Sequence, residues 1–492
     1  MNQFQITLIC IYTVCLLYIT LFSLLQLNLL KAYRKQKKVK KVLDQLTDSD
    51  TFPLVTVQLP IFNELFVIDR LLDNITKLDY PKDKLEIQVL DDSTDATAEH
   101  AFKKIEEYRL QGFDICHIHR TDRTGFKAGA LREGTKICKG EFIAIFDADF
   151  LPEPDFLKRS LPYFQDQKIG VVQTRWEHIN ENYSLLTKLQ AFQLNVHFTV
   201  EQAGRCAAGH FLQFNGTAGI WRKTAIEDAG GWQTDTLTED LDLSYRAQLR
   251  GWKIQYVEDI SCPAELPAEI YGLKSQQFRW MKGGAENSRK LIPVILRSNL
   301  PFSIKFHALM HLVSSGIFLM IFWVALISVP VLFYMDDLGL KATFLGFCLL
   351  GTLSVMSVFY EANNMMCWKE KGVKHPFYRF LLLFPTFMAI SMGFSFHNSL
   401  AVLEGYIGKK SAFIRTPKFN LVTLKDKVLN NGYNIQKINT KTWIEALIFL
   451  YFVFAIGLGI YIEYYSFLLF HILLMFGFGL NFYYSIRHLN FK

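Results

Sequence analysis

An almost unbroken apolar run from Phe4 to Leu30, followed at once by Lys31, Arg34, Lys35, Lys37, Lys38, Lys40 and Lys41, constrains this chain more than any other feature. Its length matches the hydrocarbon core of a bilayer. A cleaved leader carries its positive charge before the apolar core and a small-residue site after it. Here the order is reversed, which predicts a retained anchor over 1–45 with its amino terminus outside and its basic flank in the cytosol. Half of the 492 residues are hydrophobic, 20% are charged and 43 are phenylalanine. That excludes disordered, collagen-like and coiled-coil chains and is too apolar for an ordinary cytosolic enzyme. The 53 basic against 46 acidic side chains leave +7, too mild a surplus to argue for a nucleic-acid partner. The eight cysteines form no C-x-x-C pair, so reduced thiols are expected rather than a zinc site or a disulfide framework.

Residues 50–300 contain no run of spanning length and alternate short apolar strands with amphipathic stretches, which predicts a cytosolic α/β domain. Apolar runs return near 304–335, 340–362, 377–403, 443–463 and 465–486, so 301–492 is a second membrane part. The Met335–Leu338 link, with Asp336 and Asp337, suits an external turn. The run at 377–403 has Lys369, Lys371, Lys374 and Arg379 before it or at its start, and Lys409, Lys410, Arg415 and Lys418 after it. Its second half contains His397, Asn398, Ser399 and Glu404, which are costly against lipid tails. Two cytosolic flanks favour a re-entrant or interfacial segment over 377–407 and hence five spans; a full crossing would make six.

Within the soluble part, strands are expected at Leu54–Leu59, Leu85–Leu90, Asp114–Ile118, Phe142–Phe146 and Gly170–Arg175, with helices near 64–77, 94–110, 126–138 and 182–203. Parallel strands joined by crossover helices are buried, and such sheets collect ligands at the carboxyl ends of the strands. Three of those ends carry carboxylates: Pro60-Ile61-Phe62-Asn63-Glu64, Asp91-Asp92-Ser93-Thr94-Asp95 and Phe146-Asp147-Ala148-Asp149. No G-x-G-x-x-G follows the first strand, which leaves a dinucleotide-binding reading unsupported. Asp147 and Asp149, one small residue apart, suit a hard divalent cation, Mg2+ or Mn2+, that bridges phosphates. A solvated turn is the bland alternative, and the neighbouring Asp91 and Asp92 weigh against it.

Lys127, flanked by glycines in Gly125-Phe126-Lys127-Ala128-Gly129, suits a phosphate contact with close backbone approach to a ligand; otherwise it is a surface lysine. Thr238-Glu239-Asp240 opens an expected helix, where Thr238 could serve simply as an N-cap. Gln276-Gln277-Phe278-Arg279-Trp280 joins a guanidinium that can fork onto a diphosphate with an aromatic face that can carry a sugar ring. His307 and His311 could share a metal, although separate hydrogen bonds are the blander reading. Trp176 and Trp221 suit either an acceptor groove or the core.

In this order and spacing, the pattern D…DxD…TED…QxxRW resembles the processive family 2 glycosyltransferases of the cellulose synthase superfamily, above all the cellulose-synthase-like mannan, glucomannan and xyloglucan-backbone synthases. The blocks Ile87–Asp95, Ala144–Phe150, His197–Gln202 and Phe214–Arg222 are similar to theirs. The resemblance covers about 50–300 and implies a cytosolic GT-A domain inserted in an α-helical multi-span membrane domain. It implies an inverting hexosyl transfer from UDP-glucose, GDP-mannose or GDP-glucose to a growing β-linked polysaccharide, β-1,4 foremost, with coupled export. The setting would be a bacterial plasma or inner membrane, or the Golgi of a eukaryote.

Residue by residue, the resemblance implies that Asp91 or Asp92 contacts base and ribose and that Asp147 and Asp149 hold the cation and diphosphate. Gln276 and Arg279 join them on the nucleotide sugar, and Lys127, by the phosphate reading of its own surroundings, stands with them. Asp240 would be the general base, with Glu239 positioning the acceptor, and Thr238, Asn215 and Trp280 on the acceptor side. Phe413–Lys418, within 411–420, resembles the gating loop F-x-V-T-x-K, which would bring Thr416 and Lys418 to the nucleotide. The chain departs there, with Arg415 in place of valine and an inserted-looking Pro417. Because the chain ends soon after its last apolar run, no appended cyclic-dinucleotide control domain is expected. The implied partners are the donor, a polysaccharide acceptor and the bilayer, with accessory subunits open. A non-processive glycolipid synthase would share the donor site. A non-catalytic scaffold would be free to lose the carboxylates, and every one is present.

Overall fold

The computed structural model describes residues 3–37, 52–334, 341–364, 368–369, 372–411, 413–421 and 438–490. The Met335–Leu338 link, Lys38, Lys40, Lys41, Cys367 and Lys371 lie outside the described residues. Helix α1 (Gln3–Lys37) is too long to end with the apolar run that opens it. Its last turns place Leu29, Leu30 and Tyr33 in a core shared with the α/β domain, while Arg34, Lys35 and Lys37 complement the negative end of the helix.

The α/β domain opens with β1 (Val55–Ile61), α2 (Ile68–Ile75), β2 (Leu85–Asp91), α3 (Thr97–Leu110), β3 (Asp114–His119), α4 (Phe126–Ile137) and β4 (Phe142–Ile145). β2 and β4 are buried throughout and β1 nearly so, as strands covered on both faces must be. β1 pairs in parallel with β2 and β4, and β2 with β3. Then follow α5 (Phe156–Ser160), β5 (Ile169–His178) and α6 (Leu185–Val196), which passes through a π-helical stretch, His197–Ala203, into α7 (Gly204–Ala208). β6 (Gly219–Arg222), α8 (Lys223–Asp228), α9 (Glu239–Leu249) and β7 (Lys253–Ala264) complete a seven-stranded sheet of order β3-β2-β1-β4-β6-β5-β7.

The expectation of parallel strands alone needs correction: β6 runs antiparallel to both β4 and β5. It has four residues, all buried, and a Cβ on Gly219 would lie 2.6 Å from the Val172 carbonyl oxygen. Tertiary fit between two neighbours sets its direction. One core joins Leu59, Ile87 and Phe146 of the sheet region to Leu71 of α2, Ile105 of α3 and Phe156 of α5. The other joins Ile143 to Leu131 of α4, Leu243 of α9 and the end of α1.

The remaining helices are α10 (Ile270–Arg297), α11 (Phe302–Leu312), α12 (Ile317–Val331), α13 (Lys341–Asn363), α14 (Pro376–Gly393), α15 (Ser395–Ile407), α16 (Thr440–Tyr461) and α17 (Leu468–Arg487). Among the described residues, six helical stretches are long and apolar enough to cross a bilayer: α1, Phe302–Val331, Thr343–Asn363, α14, α16 and α17. The run at 377–403 is divided at Phe394, which ends α14 and begins α15. α15 packs against α10 and buries His397, Asn398 and Ser399. α14 and α17 meet backbone to backbone, because a Cβ on Gly477 would collide with the Ala389 carbonyl and one on Gly393 with Gly477 itself. Small residues permit that approach.

Candidate active site

The carboxyl ends of β1, β2 and β4 open into a cavity of about 220 Å³, closed on its far side by α9, α10 and the loop 413–421. Asp92, Asp147, Asp149, Glu239 and Asp240 line it together with Lys127, Asn215, Thr238, Gln276, Arg279, Trp280, Thr416 and Lys418. Of the residues singled out from the sequence as site residues, Asp91 alone stands outside. Its side chain is fully buried, accepts from the Ser93 backbone N–H at 2.8 Å and bonds His117 Nε2 at 2.8 Å. Asp92, one residue on, lines the cavity and is held by a two-pronged bond from Arg120, Nε to Oδ1 at 2.7 Å and a terminal nitrogen to Oδ2 at 2.6 Å.

Beyond β4, the Asp147 carboxylate meets the Lys127 ammonium, which also donates to the Gly216 carbonyl at 2.9 Å. Burial works against the charge on Lys127, but Asp147, Glu239 and Asp240 outweigh it and raise its pKa. The flanking glycines each have a local steric cause. Gly125 has φ +78°, and a Cβ there would collide with Thr234; one on Gly129 would collide with the Thr124 carbonyl. Asp149 is nearly buried, and its Oδ2 accepts from the Glu265 N–H at 3.0 Å and from Lys418 Nζ at 2.7 Å.

Lys418 belongs to a loop laid over the cavity and tied at several points. Arg279 of α10 donates to the Ile414 carbonyl and to Thr416 Oγ1 at 3.2 Å, with its guanidinium 4.7 Å from the Phe413 ring centre. Burial lowers the Arg279 pKa to about 10, against the pull of Asp147 and Glu239. Arg415, where the sequence departs from the gating pattern, donates to the carbonyls of Phe62, at 3.2 Å, and Asn63, and pairs with Glu64 at 3.1 Å. Burial pushes the Glu64 carboxyl up to about 8, Arg415 opposing and Asp149 adding to it. Beside them Arg123 lies 3.2 Å over the centre of the Phe62 ring, and Phe126 stacks on Phe413 at 5.6 Å.

Glu239 and Asp240 occupy the first turn of α9. Thr238 stands at the N-cap position of α9, as expected, but its side chain makes no cap bond. Its hydroxyl oxygen instead accepts from Asn287 Nδ2 at 2.9 Å and faces Gly283 of α10, where a Cβ would lie 2.5 Å from it. Asp240 Oδ1 accepts from the Leu241 N–H at 2.8 Å, and a Cβ on Gly216 would lie 3.1 Å from Oδ2. Burial, and then the neighbouring Glu239, raise the Asp240 pKa; burial raises that of Glu239.

Trp176 lines the cavity, edge-on to Phe150 at 5.1 Å, whereas Trp221 is core, packed on Phe214 and Trp232. His307 stacks on His210 and His311 bonds the Tyr245 hydroxyl at 2.7 Å, so the two rings are separately engaged. Among the described residues, no group of three or more His, Cys, Asp and Glu stands ready to hold a metal. Asp147 and Asp149 are hard carboxylates on one edge of the cavity, each paired here with a lysine, and a divalent cation held by them would take its remaining ligands from elsewhere. Sequence reasoning passed over Arg123 and Glu265 and gave no role to Glu64. The position of Glu64 after β1 was its signal; Glu265 follows β7, a strand with mixed exposure and no clean hydropathy pattern.

Residues 53–283 match the model of a family described as glycosyltransferase like family 2. Glucomannan 4-beta-mannosyltransferase 2 of Arabidopsis thaliana is 44% identical over 260 residues, 52% of this chain and 49% of that protein. Glucomannan 4-beta-mannosyltransferase 1 of Oryza sativa subsp. japonica is 40% identical over 279 residues, 54% of each. The match thus spans about half the length of these curated relatives. Among solved structures, a mannosyltransferase from Pyrobaculum calidifontis in complex with GDP-Man and Mn2+ aligns with a TM-score of 0.50 at 19% identity, over 80% of this chain and 100% of that one. That likeness is one of fold.

Proposed function

We propose, from the match of residues 53–283 to the glycosyltransferase like family 2 model, that the protein transfers a hexose from a nucleoside-diphosphate sugar to the end of a growing β-linked polysaccharide. The observation that carries the reading is Asp240. Its half-buried carboxyl has a raised proton affinity and stands in one cavity with a cluster of cations, Lys127, Arg279 and Lys418. A sugar hydroxyl is a poor nucleophile at neutral pH, and Asp240 would accept its proton as it attacks the anomeric carbon. The departing nucleoside diphosphate gains negative charge, which Arg279 and Lys127 are placed to stabilise. A divalent cation held by Asp147 and Asp149 would neutralise part of that charge. One base without a covalent partner means single displacement, so an α-linked donor yields a β-linked product.

Glu239, Trp280 and Thr238 face the acceptor side in this scheme, and Asp92, Gln276, Thr416 and Lys418 the donor side. Asp91 supports β2 from behind through His117. The names of the relatives favour a mannosyl unit and a 4-linkage. The catalytic domain would face the cytosol, with the product leaving through 301–492. Incubating the purified protein with GDP-mannose, GDP-glucose and UDP-glucose, then digesting the product with linkage-specific glycanases, tests the reading. A polymer cut by a β-mannanase is expected. A single sugar on a lipid would replace it with the glycolipid reading, and no transfer from any donor would overturn it.

A further inference from the structure

Past Arg279 and Trp280, α10 turns from lining the cavity to holding two of its walls. The first is the segment that carries Glu239 and Asp240. The Glu286 carboxylate accepts from the Leu237 backbone N–H at 2.8 Å. Asn287 Nδ2 donates to the Thr238 carbonyl at 3.1 Å and to its hydroxyl at 2.9 Å. Lys290 Nζ pairs with Asp235 and with Asp242, at 2.8 Å each. The two carboxylates of the site are thus held from both sides, through 235–238 before them and Asp242 after them. Carbonyls and carboxylates accept, and backbone N–H and ammonium groups donate, so the direction of these bonds is fixed.

The second wall is the root of the loop over the cavity. Lys282 is fully buried, and its ammonium donates to the Lys409 carbonyl and the Ser411 hydroxyl. The Glu404 and Glu286 carboxylates stand 3.6 and 4.0 Å away. A buried ammonium is costly unless it is bonded and paired in this way. Residues 409–411 are where the chain leaves α15 and enters the loop, and the end of α15 is pressed on the same turn of α10: a Cβ on Gly405 would lie 2.6 Å from the Lys282 carbonyl oxygen. Neither Lys282 nor Glu286 lines the cavity.

We propose that Lys282 and Glu286 are positioning residues for the transfer, Glu286 setting the place of Asp240 through the Leu237 N–H and Lys282 setting the root of the loop that carries Thr416 and Lys418. The proposal deepens the glycosyl-transfer reading and rests on it. Four residues apart, the two side chains share one face of the helix, so a single rigid turn holds base and loop at a fixed separation. Displacing a reacting group by about 1 Å costs up to about 10²-fold in rate, whereas loosening a loop over a bound nucleotide costs affinity. The two residues therefore act on different quantities.

The test uses the full-length protein and measures, for each variant, kcat for transfer to a soluble β-linked mannose or glucose oligosaccharide and the affinity for GDP and for UDP. Glu286→Ala is expected to lower kcat about tenfold with nucleotide affinity within about twofold. Glu286→Gln, whose amide oxygen still accepts from the Leu237 N–H, is expected to bring kcat back to within about threefold of the wild type. Lys282→Met is expected to do the reverse, weakening nucleotide affinity about tenfold, the worth of one charge-assisted hydrogen bond, with kcat at saturating donor within about twofold. A fall in both quantities in either variant, or a Glu286→Gln protein as slow as Glu286→Ala, marks a merely structural role and overturns the proposal. Should Lys282→Met fail to fold, Ser411→Ala removes its partner on the loop side, with the same expectation and the same overturning outcomes. An active wild type whose variants match it overturns the positioning alone; a wild type that turns over no nucleotide sugar overturns the transfer reading with it.

Discussion

Asp240 sets the sharpest expectation at the scale of single residues. Asparagine keeps its shape and its bond to the Leu241 N–H but takes no proton at neutral pH. Asp240→Asn should therefore stay folded and bind donor nucleotide normally while transfer falls about 10²–10⁴-fold. Near-normal transfer would refute the general base, and lost donor binding would move Asp240 to the nucleotide. The carboxyl is a base only when ionised, so lowering the pH through its raised pKa protonates it and slows transfer. The acid limb of kcat/KM for the acceptor is expected well above the ordinary aspartate range of about 4; a limb at that ordinary value would contradict the role. Asp149→Ala should weaken nucleotide binding only when Mg2+ or Mn2+ is present, and equal weakening in chelator would separate Asp149 from any cation. Glu64, the Asp91–Asp92 pair and the Asp147–Asp149 pair were legible because each stands at or just after a strand end, whereas Glu239 and Asp240, which open α9 beyond α8, were legible only through their motif. The choice between Asp91 and Asp92 was not, since neighbouring side chains at a strand end face opposite ways, and only the pairing of β2 with β3 puts His117 beside Asp91.

Among the elements, α10 faces in two directions. Gln276, Arg279 and Trp280 turn to the cavity, while Lys274, on the same helix, turns to the membrane helices. Its ammonium bonds Glu445 of α16 at 2.8 and 2.6 Å and Ser485 of α17 at 3.0 Å, and His397 of α15 bonds the Lys274 carbonyl at 2.9 Å. Removing one partner from a buried ion pair costs about 3–5 kcal/mol, whereas an apolar pair of like volume is tolerated. Glu445→Leu should thus lower thermal stability sharply in detergent, and Lys274→Met with Glu445→Leu should recover most of the loss. No recovery would mean that the pair is not what joins these helices. β1 to β5 were visible as apolar runs of strand length. β6 was not: four residues carry too little periodicity, and its direction is a property of β4 and β5. Nor was the π-helical stretch, whose widened turn depends on what His197 and Glu201 find around them.

For the whole molecule, α1, which opens on the apolar run, is also a structural part of the α/β domain. Its Tyr33 hydroxyl donates to Glu258 at 2.8 Å, and Arg34 pairs with Glu361 of α13. The boundary between membrane and soluble parts, plain in the hydropathy, is therefore not a boundary between cores. Orientation is open to a direct measurement. Cysteines placed near Lys369 and near Lys410 should both be labelled only from the cytosolic side. Labelling near Lys410 from outside would make α14 a full crossing and detach the loop from the cytosolic nucleotide.

The ion pair at Lys274 has one more consequence. Spans tilt to match the hydrocarbon thickness around them, and α16 and α17 are bolted to the helix that carries Arg279 and Trp280. Lipid acyl length would then act on the position of Arg279 and Trp280, as the tension of a string sets its pitch. Reconstituted in vesicles of graded chain length, the wild type should show a sharp optimum in transfer rate, and the Lys274→Met, Glu445→Leu protein a flatter one.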